Sequence, residues 1–274
     1  MKKKELKALV SLLEDGSLRG EIEDKILELG TETIPFLEQE WEKSFDPDLQ
    51  SYLEDIIHKL QLELLKERLI EWKQTESDDL LKGMWIVATY QYPDLSLEKV
   101  RQELEQIYYE VWLEHKPDAH HFDQIKFINS VIFNKLKFRA NMRNFHSPAN
   151  SMVNMVLETK KGNPISLSTL YLLIAQKLEL PIFGVNLPNM FILTYKNEHE
   201  QFYINVFNRG LIFSREDIDS YITQINLAPR PIFYEPCSHV DIIIRSFRNL
   251  AIAFEKLGDH AKSEEVKELL QMME

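Results

Sequence analysis

At 274 residues, 44% hydrophobic and 28% charged, the chain has the composition of a globular protein and room for one large domain or two to three smaller ones. Its net charge of −12 argues against nucleic acid, whose phosphates favour a basic face, and no apolar run approaches the roughly 20 residues of a membrane span. The lone Cys237 excludes an internal disulfide framework, and Glu5, Lys7 and Glu14 interrupt any signal-peptide core, so a cytoplasmic location is expected.

The first segment reads as short amphipathic helices in pairs. Leu6, Leu9, Val10 and Leu13 make one helical stripe, which Gly16 breaks; E-I-E-D-K-I-L-E-L follows and Gly30 closes it. The scheme recurs in I-P-F-L-E-Q-E-W, the breaker F-D-P-D, and L-Q-S-Y-L-E-D-I-I-H-K-L. Two such hairpins resemble HEAT repeats, whose helix pairs bury apolar faces by stacking. Their acidic face (Glu14, Asp15, Glu21, Glu23, Asp24) reads as solvated surface. A polar, weakly periodic join is expected near Glu71–Asp79.

Further helices are expected in D-D-L-L-K-G-M-W-I-V-A-T-Y, in L-E-K-V-R-Q-E-L-E-Q-I-Y-Y-E-V-W and in F-D-Q-I-K-F-I-N-S-V-I-F-N-K-L. From 181 the texture becomes β-rich: P-I-F-G-V-N-L, M-F-I-L-T-Y and F-Y-I-N-V-F read as three antiparallel strands, the last two joined by K-N-E-H-E-Q. S-R-E-D at 214–217 is a capping signal for one more helix. The tail is a helix pair around L-G-D at 257–259, and its N-L-A-I-A-F-E-K-L-G-D-H-A resembles one tetratricopeptide hairpin.

Between the helical and the β-rich parts lies K-K-G-N-P-I-S-L-S-T-L-Y-L-L-I-A-Q-K-L, an abrupt start to an almost wholly apolar helix. Helix N-termini favour anions and nucleophiles, which makes Ser166 and Ser168 candidates. A serine needs an adjacent base; the nearest histidines in sequence are His146 and His199, so capping or packing is the better reading of both.

The run from N-S-M-V-N-M through G-N-P-I-S-L to G-V-N-L-P, with Y-I-N-V-F-N-R-G-L-I-F-S-R-E-D and R-N-L, resembles the SirB-type transglutaminase-like family over residues 75–274. The resemblance implies a papain-like core, a central helix on an antiparallel sheet, with Cys opening the helix, His on the next strand and Asp on the one after. Chemically, a thiol at a helix N-terminus facing an imidazole is activated, and a carboxylate orients the ring. On the family's spacing these positions hold Pro164, Met190 and Asn205. None can perform the role.

The resulting expectation is an α+β, helix-rich protein: a HEAT-like module at 1–74, a transglutaminase-like domain at 75–236 and a tetratricopeptide-like hairpin at 237–274. It acts as a non-catalytic scaffold for a protein or peptide, through a groove lined by Asn163, Ser166, Asn186, Met190 and Asn205. The rival reading is a weak hydrolase or acyl transferase using Ser166 with a histidine supplied by the fold. No cofactor or metal is expected: the His115–Asp123 cluster lacks recognised ligand spacing, and Cys237 lacks a basic environment.

Overall fold

The computed structural model describes residues 2–13 and 19–274. Glu14, Asp15 and Gly16, which the sequence reading places in an acidic face and a helix break, lie outside the described residues. Two compact units emerge, Met1–Leu69 and Ile70–Glu274.

The first unit holds α1 (Lys2–Leu13), α2 (Arg19–Leu29), α3 (Ile34–Lys43) and most of α4 (Pro47–Thr75). Pro35 sits in the first turn of α3 and Pro47 opens α4, positions where a missing N–H is no loss. The stripes read from the sequence form one core: Leu6, Val10 and Leu13 of α1 pack with Ile22, Ile26, Leu37, Leu53, Ile56 and Leu60. Spacings of three and four residues put these side chains on one face of each helix. Glu23, assigned to the solvated face, instead accepts from the Tyr52 hydroxyl at 2.8 Å and pairs with Lys59.

The polar stretch after residue 70 begins as helix. α4 stays helical through Thr75, because Leu65, Leu69 and Trp72 continue an apolar stripe through the charged residues. Trp72 is fully buried and its indole N–H donates to Asp79 O at 2.8 Å.

The second unit is helix-rich with small sheets. It runs through α5 (Leu80–Thr89), α6 (Leu97–Trp112) and α7 (His121–Asn129), which ends in a π turn at Ser130–Lys135. Then come β1 (Arg139–Ala140), α8 (Val153–Thr159), β2 (Lys161–Gly162) and α9 (Pro164–Lys177). A meander follows, β3 (Ile182–Leu187), β4 (Met190–Lys196), β5 (Gln201–Asn205) and β6 (Leu211–Phe213), and then α10 (Arg215–Gln224), α11 (His239–Leu257) and α12 (His260–Met273). The four strands lie in sequence order, all antiparallel. β6 is absent from the sequence reading because three residues carry no alternation.

Parity decides what each sheet face meets. Val185, Leu187, Ile192 and Tyr203 turn to one side, where Ile218 and Ile222 of α10 close a core. Gly184 and Phe191 turn to the other, toward Cys237 and Ile242 at the start of α11; a Cβ on Gly184 would come within 2.7 Å of the Phe191 ring, so this close approach needs glycine. α9 packs along β3 and β4, and from Ile165 to Ala175 all its residues are buried, cover that its apolar circumference demands. α11 and α12 form a hairpin in which α11 also packs on α5, α9 and β3. Among the described residues no helix is long and apolar enough to cross a membrane.

Candidate functional site

The segment G-N-P-I-S proves to be a helix-starting device. Asn163 is the N-cap: its Oδ1 accepts from Ser166 N at 2.9 Å, while Ser166 Oγ accepts from Asn163 N at 3.1 Å. Pro164 takes the first helical position. A Cβ on Gly162 would lie 2.5 Å from Ser166 Oγ, so only glycine fits before this capping box. β2 clamps the same point onto β1, with Arg139 N donating to Lys160 O at 2.9 Å and Asn141 N to Gly162 O at 3.0 Å.

Ser166 is therefore engaged with the Asn163 main chain, donating to Asn163 O at 3.3 Å, and is buried. No imidazole stands among its partners. Ser168 Oγ is buried without a hydrogen-bond partner, and His199 is exposed in the β4–β5 turn. The arrangement lacks the base that would turn either hydroxyl into a nucleophile.

Met190 and Asn205 do meet. Asn205 Nδ2 donates to Met190 Sδ at 3.5 Å, and Asn205 Oδ1 accepts from Asn208 N at 3.0 Å, capping the short turn after β5. Met190 packs against the Val185–Ile192–Ile218 core. Asn186 pairs with Phe191 across the strands and Met190 with Leu187, so parity puts Asn186 and Met190 on opposite faces of the sheet. They do not line one groove.

What lies over the start of α9 is a cavity of about 250 Å³. Of the five groove residues expected from the sequence it takes Asn163, with Pro164 beside it; Ser166, Asn186, Met190 and Asn205 are not in its wall. Its other walls come from three distant segments: Asn189 and Phe191 at the β3–β4 turn, Phe145, His146, Ser147 and Ser151 before α8, and Arg245, Asn249, Ile252 and Ala253 on α11. The segment before α8 is shaped by the buried Asn150, whose Nδ2 donates to Asn144 O (2.7 Å) and Phe145 O (2.9 Å) while its Oδ1 accepts from Asn141 Nδ2 (2.7 Å). Asn163 Nδ2 ties this segment to the helix cap by donating to Ser151 Oγ at 3.0 Å.

Arg245 and Asn249 escaped the sequence reading. They are four residues apart, hence on one face of α11, and interrupt the stripe of Ile242, Phe247 and Leu250. That polar interruption was the available signal.

A transglutaminase-like superfamily model matches residues 98–248, more than half of the chain. The chain belongs to the transglutaminase-like superfamily. Among relatives, a UPF0162 protein of Xylella fastidiosa (strain Temecula1) is 27% identical over 200 residues, 64% of this chain and 64% of that protein. The chain thus spans just under two thirds of that relative. F-box only protein 21 of Mus musculus is 35% identical over 105 residues, 35% of this chain but 17% of the mouse protein. A UPF0162 protein of Pasteurella multocida is 32% identical over 82 residues, 30% of this chain and 31% of that one. No solved structure matches the chain.

Elsewhere in the transglutaminase-like unit the remaining candidates have structural partners. Among the described residues no three His, Cys, Asp or Glu side chains gather as metal ligands would. His120 caps α7, accepting from Phe122 N at 3.4 Å, and His115 meets Gln124 Oε1 at 3.4 Å. His121 Nε2 lies 2.7 Å from Glu200 Oε1 but without hydrogen-bond alignment, held instead against the rings of Tyr195 and Phe202. Burial pushes the Cys237 thiol up to about 12, the opposite of an activated thiol.

Proposed function

We propose that the protein is a SirB-type, non-catalytic member of the superfamily that works as a binding or scaffold module. The observation that carries this reading is the start of α9, where proline fills the first position and Ser166 is locked in a capping box, so the helix N-terminus presents no activated nucleophile. Pro164, Met190 and Asn205 are read as the degenerate Cys, His and Asp positions. The 105-residue match within 17% of a longer mouse protein supports a segment that serves as a module in different chains.

In this reading residues 1–74 are a HEAT-like module, 75–236 the transglutaminase-like domain and 237–274 a tetratricopeptide-like hairpin, and the partner is a protein or peptide in the cytoplasm. The rival, a weak hydrolase or acyl transferase, relies on Ser166, whose hydroxyl bonds among the described residues only to Asn163. The test measures release of p-nitrophenol from p-nitrophenyl acetate and incorporation of a fluorescent amine into casein, wild type against Ser166→Ala. The expected result is no turnover above buffer for either. Wild-type turnover abolished by Ser166→Ala would overturn the reading.

A further inference from the structure

The cavity wall departs from the chemistry of the rest of the chain. The protein has 44 acidic residues against 32 basic ones, yet none of the twelve residues lining the cavity is acidic. Arg245 is half-buried there, and among the described residues no carboxylate lies within ion-pair distance of it. Two other arginines have carboxylate partners: Arg101 reaches Asp79 at 3.3 Å, and Arg248, one turn along the same helix, reaches Glu274. Burial, first among the causes, lowers the proton affinity of the Arg245 guanidinium; neighbouring Arg248 lowers it further and Tyr221 raises it. An unpaired, desolvated charge is costly in a fold, and a ligand that supplies the missing charge relieves that cost.

We propose that this cavity binds a carboxylate carried on an apolar body, with Arg245 as its anchor. The guanidinium fork matches the two oxygens of a carboxylate. The side chains of Asn189 and Asn249 have no hydrogen-bond partners of their own among the described residues, and their amides are free to donate. Phe191 and Ile252 form an apolar wall suited to the body of the ligand. Arg245 is the one permanent cation among the twelve lining residues, which otherwise offer amides, hydroxyls and the His146 imidazole, and it balances a single negative charge, which favours a carboxylate over a doubly charged phosphate. A volume of about 250 Å³ accommodates one side-chain-sized group. The carboxylate can belong to a small free acid or to the C-terminus of a peptide. This rests on the reading of the domain as a binding module and names what the module holds.

Calorimetric titration of the full chain with phenylacetate, phenylacetamide, inorganic phosphate, and acetyl-Gly-Gly-Phe as acid and as amide tests it. Both acids are expected to saturate, and each amide and phosphate to bind at least about tenfold more weakly, since one charge-assisted contact is worth about that factor. Arg245→Gln should lower affinity for the acids by about tenfold or more, while Arg101→Gln leaves it unchanged. If Arg245→Gln fails to fold by circular dichroism, Arg245→Lys, which keeps charge but loses the fork, should lose affinity. A tighter peptide acid identifies a chain terminus as the source, and a tighter phenylacetate a free acid; either supports the site. Amides binding as well as acids, no saturation by either acid, tighter phosphate, or indifference to Arg245 would overturn it. None of these probes has an activated acyl group, so their failure leaves the non-catalytic reading standing. Acyl turnover would sink that reading, and the Arg245-dependent binding of the acids would then describe how the site holds an acid and not what a non-catalytic module binds.

Discussion

Asn205 donates its side-chain N–H to the thioether of Met190 at 3.5 Å, so two positions fifteen apart in sequence, read as the degenerate acid and imidazole of a transglutaminase-like triad, are neighbours in space. Their contact is structural: Asn205 also caps Asn208 N, and Met190 belongs to the core that α10 closes. Pro164, read as the third position, faces the cavity, whose wall excludes both.

This geometry yields an expected outcome for rearming. In Pro164→Cys the new thiol stands at a helix N-terminus and its pKa should fall below the free value of about 8.5. Adding Met190→His and Asn205→Asp should lower it no further, because an imidazole at 190 follows Met190 into the α10 core. Iodoacetamide alkylation rate against pH, with Cys237→Ser in all variants, measures this. A further drop in the triple variant would mean the three positions converge after all.

Asn163→Ala removes the N-cap of α9 and the tie to Ser151 together. An N-cap is worth about 1 kcal/mol, and the buried Ser151 hydroxyl left without its donor adds to it, so a loss of about 1–3 kcal/mol in urea denaturation is expected. Asn163→Asp keeps the cap acceptor but loses the donor, and should cost less. Equal losses would show that the tie to Ser151, and not the cap, matters.

Alkaline pH should destabilise the protein. Burial, first among the causes, pushes Tyr52, Tyr203 and Cys237 each up to about 12. The unfolded chain releases these protons at about 10 for tyrosine and about 8.5 for cysteine, so above those values the native state holds more protons and stability falls as pH rises toward 12. Below about pH 8.5 the contribution is complete. Cys237→Ser should flatten the decline that begins near pH 8.5, read from chemical denaturation midpoints at stepped pH. An unchanged decline would place its origin in the tyrosines alone.

Limited proteolysis should spare residues 70–79. Cleavage requires about ten residues of extended chain in the protease, and here α4 continues to Thr75 with Trp72 buried and bonded to Asp79. Mass spectrometry of early fragments checks this. Early cuts between 70 and 79 would show the end of α4 unravelling in solution.

The sequence by itself determined the local devices. Stripes at three- and four-residue spacing, the prolines opening helices, S-R-E-D before α10, and G-N-P-I-S before α9 act within a few residues, where backbone hydrogen bonds and side-chain caps are decided. It also carried the superfamily resemblance that the comparison bears out. The tertiary structure alone decided the cavity, because Asn163, Asn189 and Arg245 come from segments tens of residues apart, joined only when β1, the meander and α11 close around α9. It alone separated Asn186 from Met190, since a strand's register, set by its partner, determines which face each side chain takes. The helical course of α4 past residue 70 followed the same rule: a local reading weighs the polar residues, whereas burial of Trp72 holds the backbone in place.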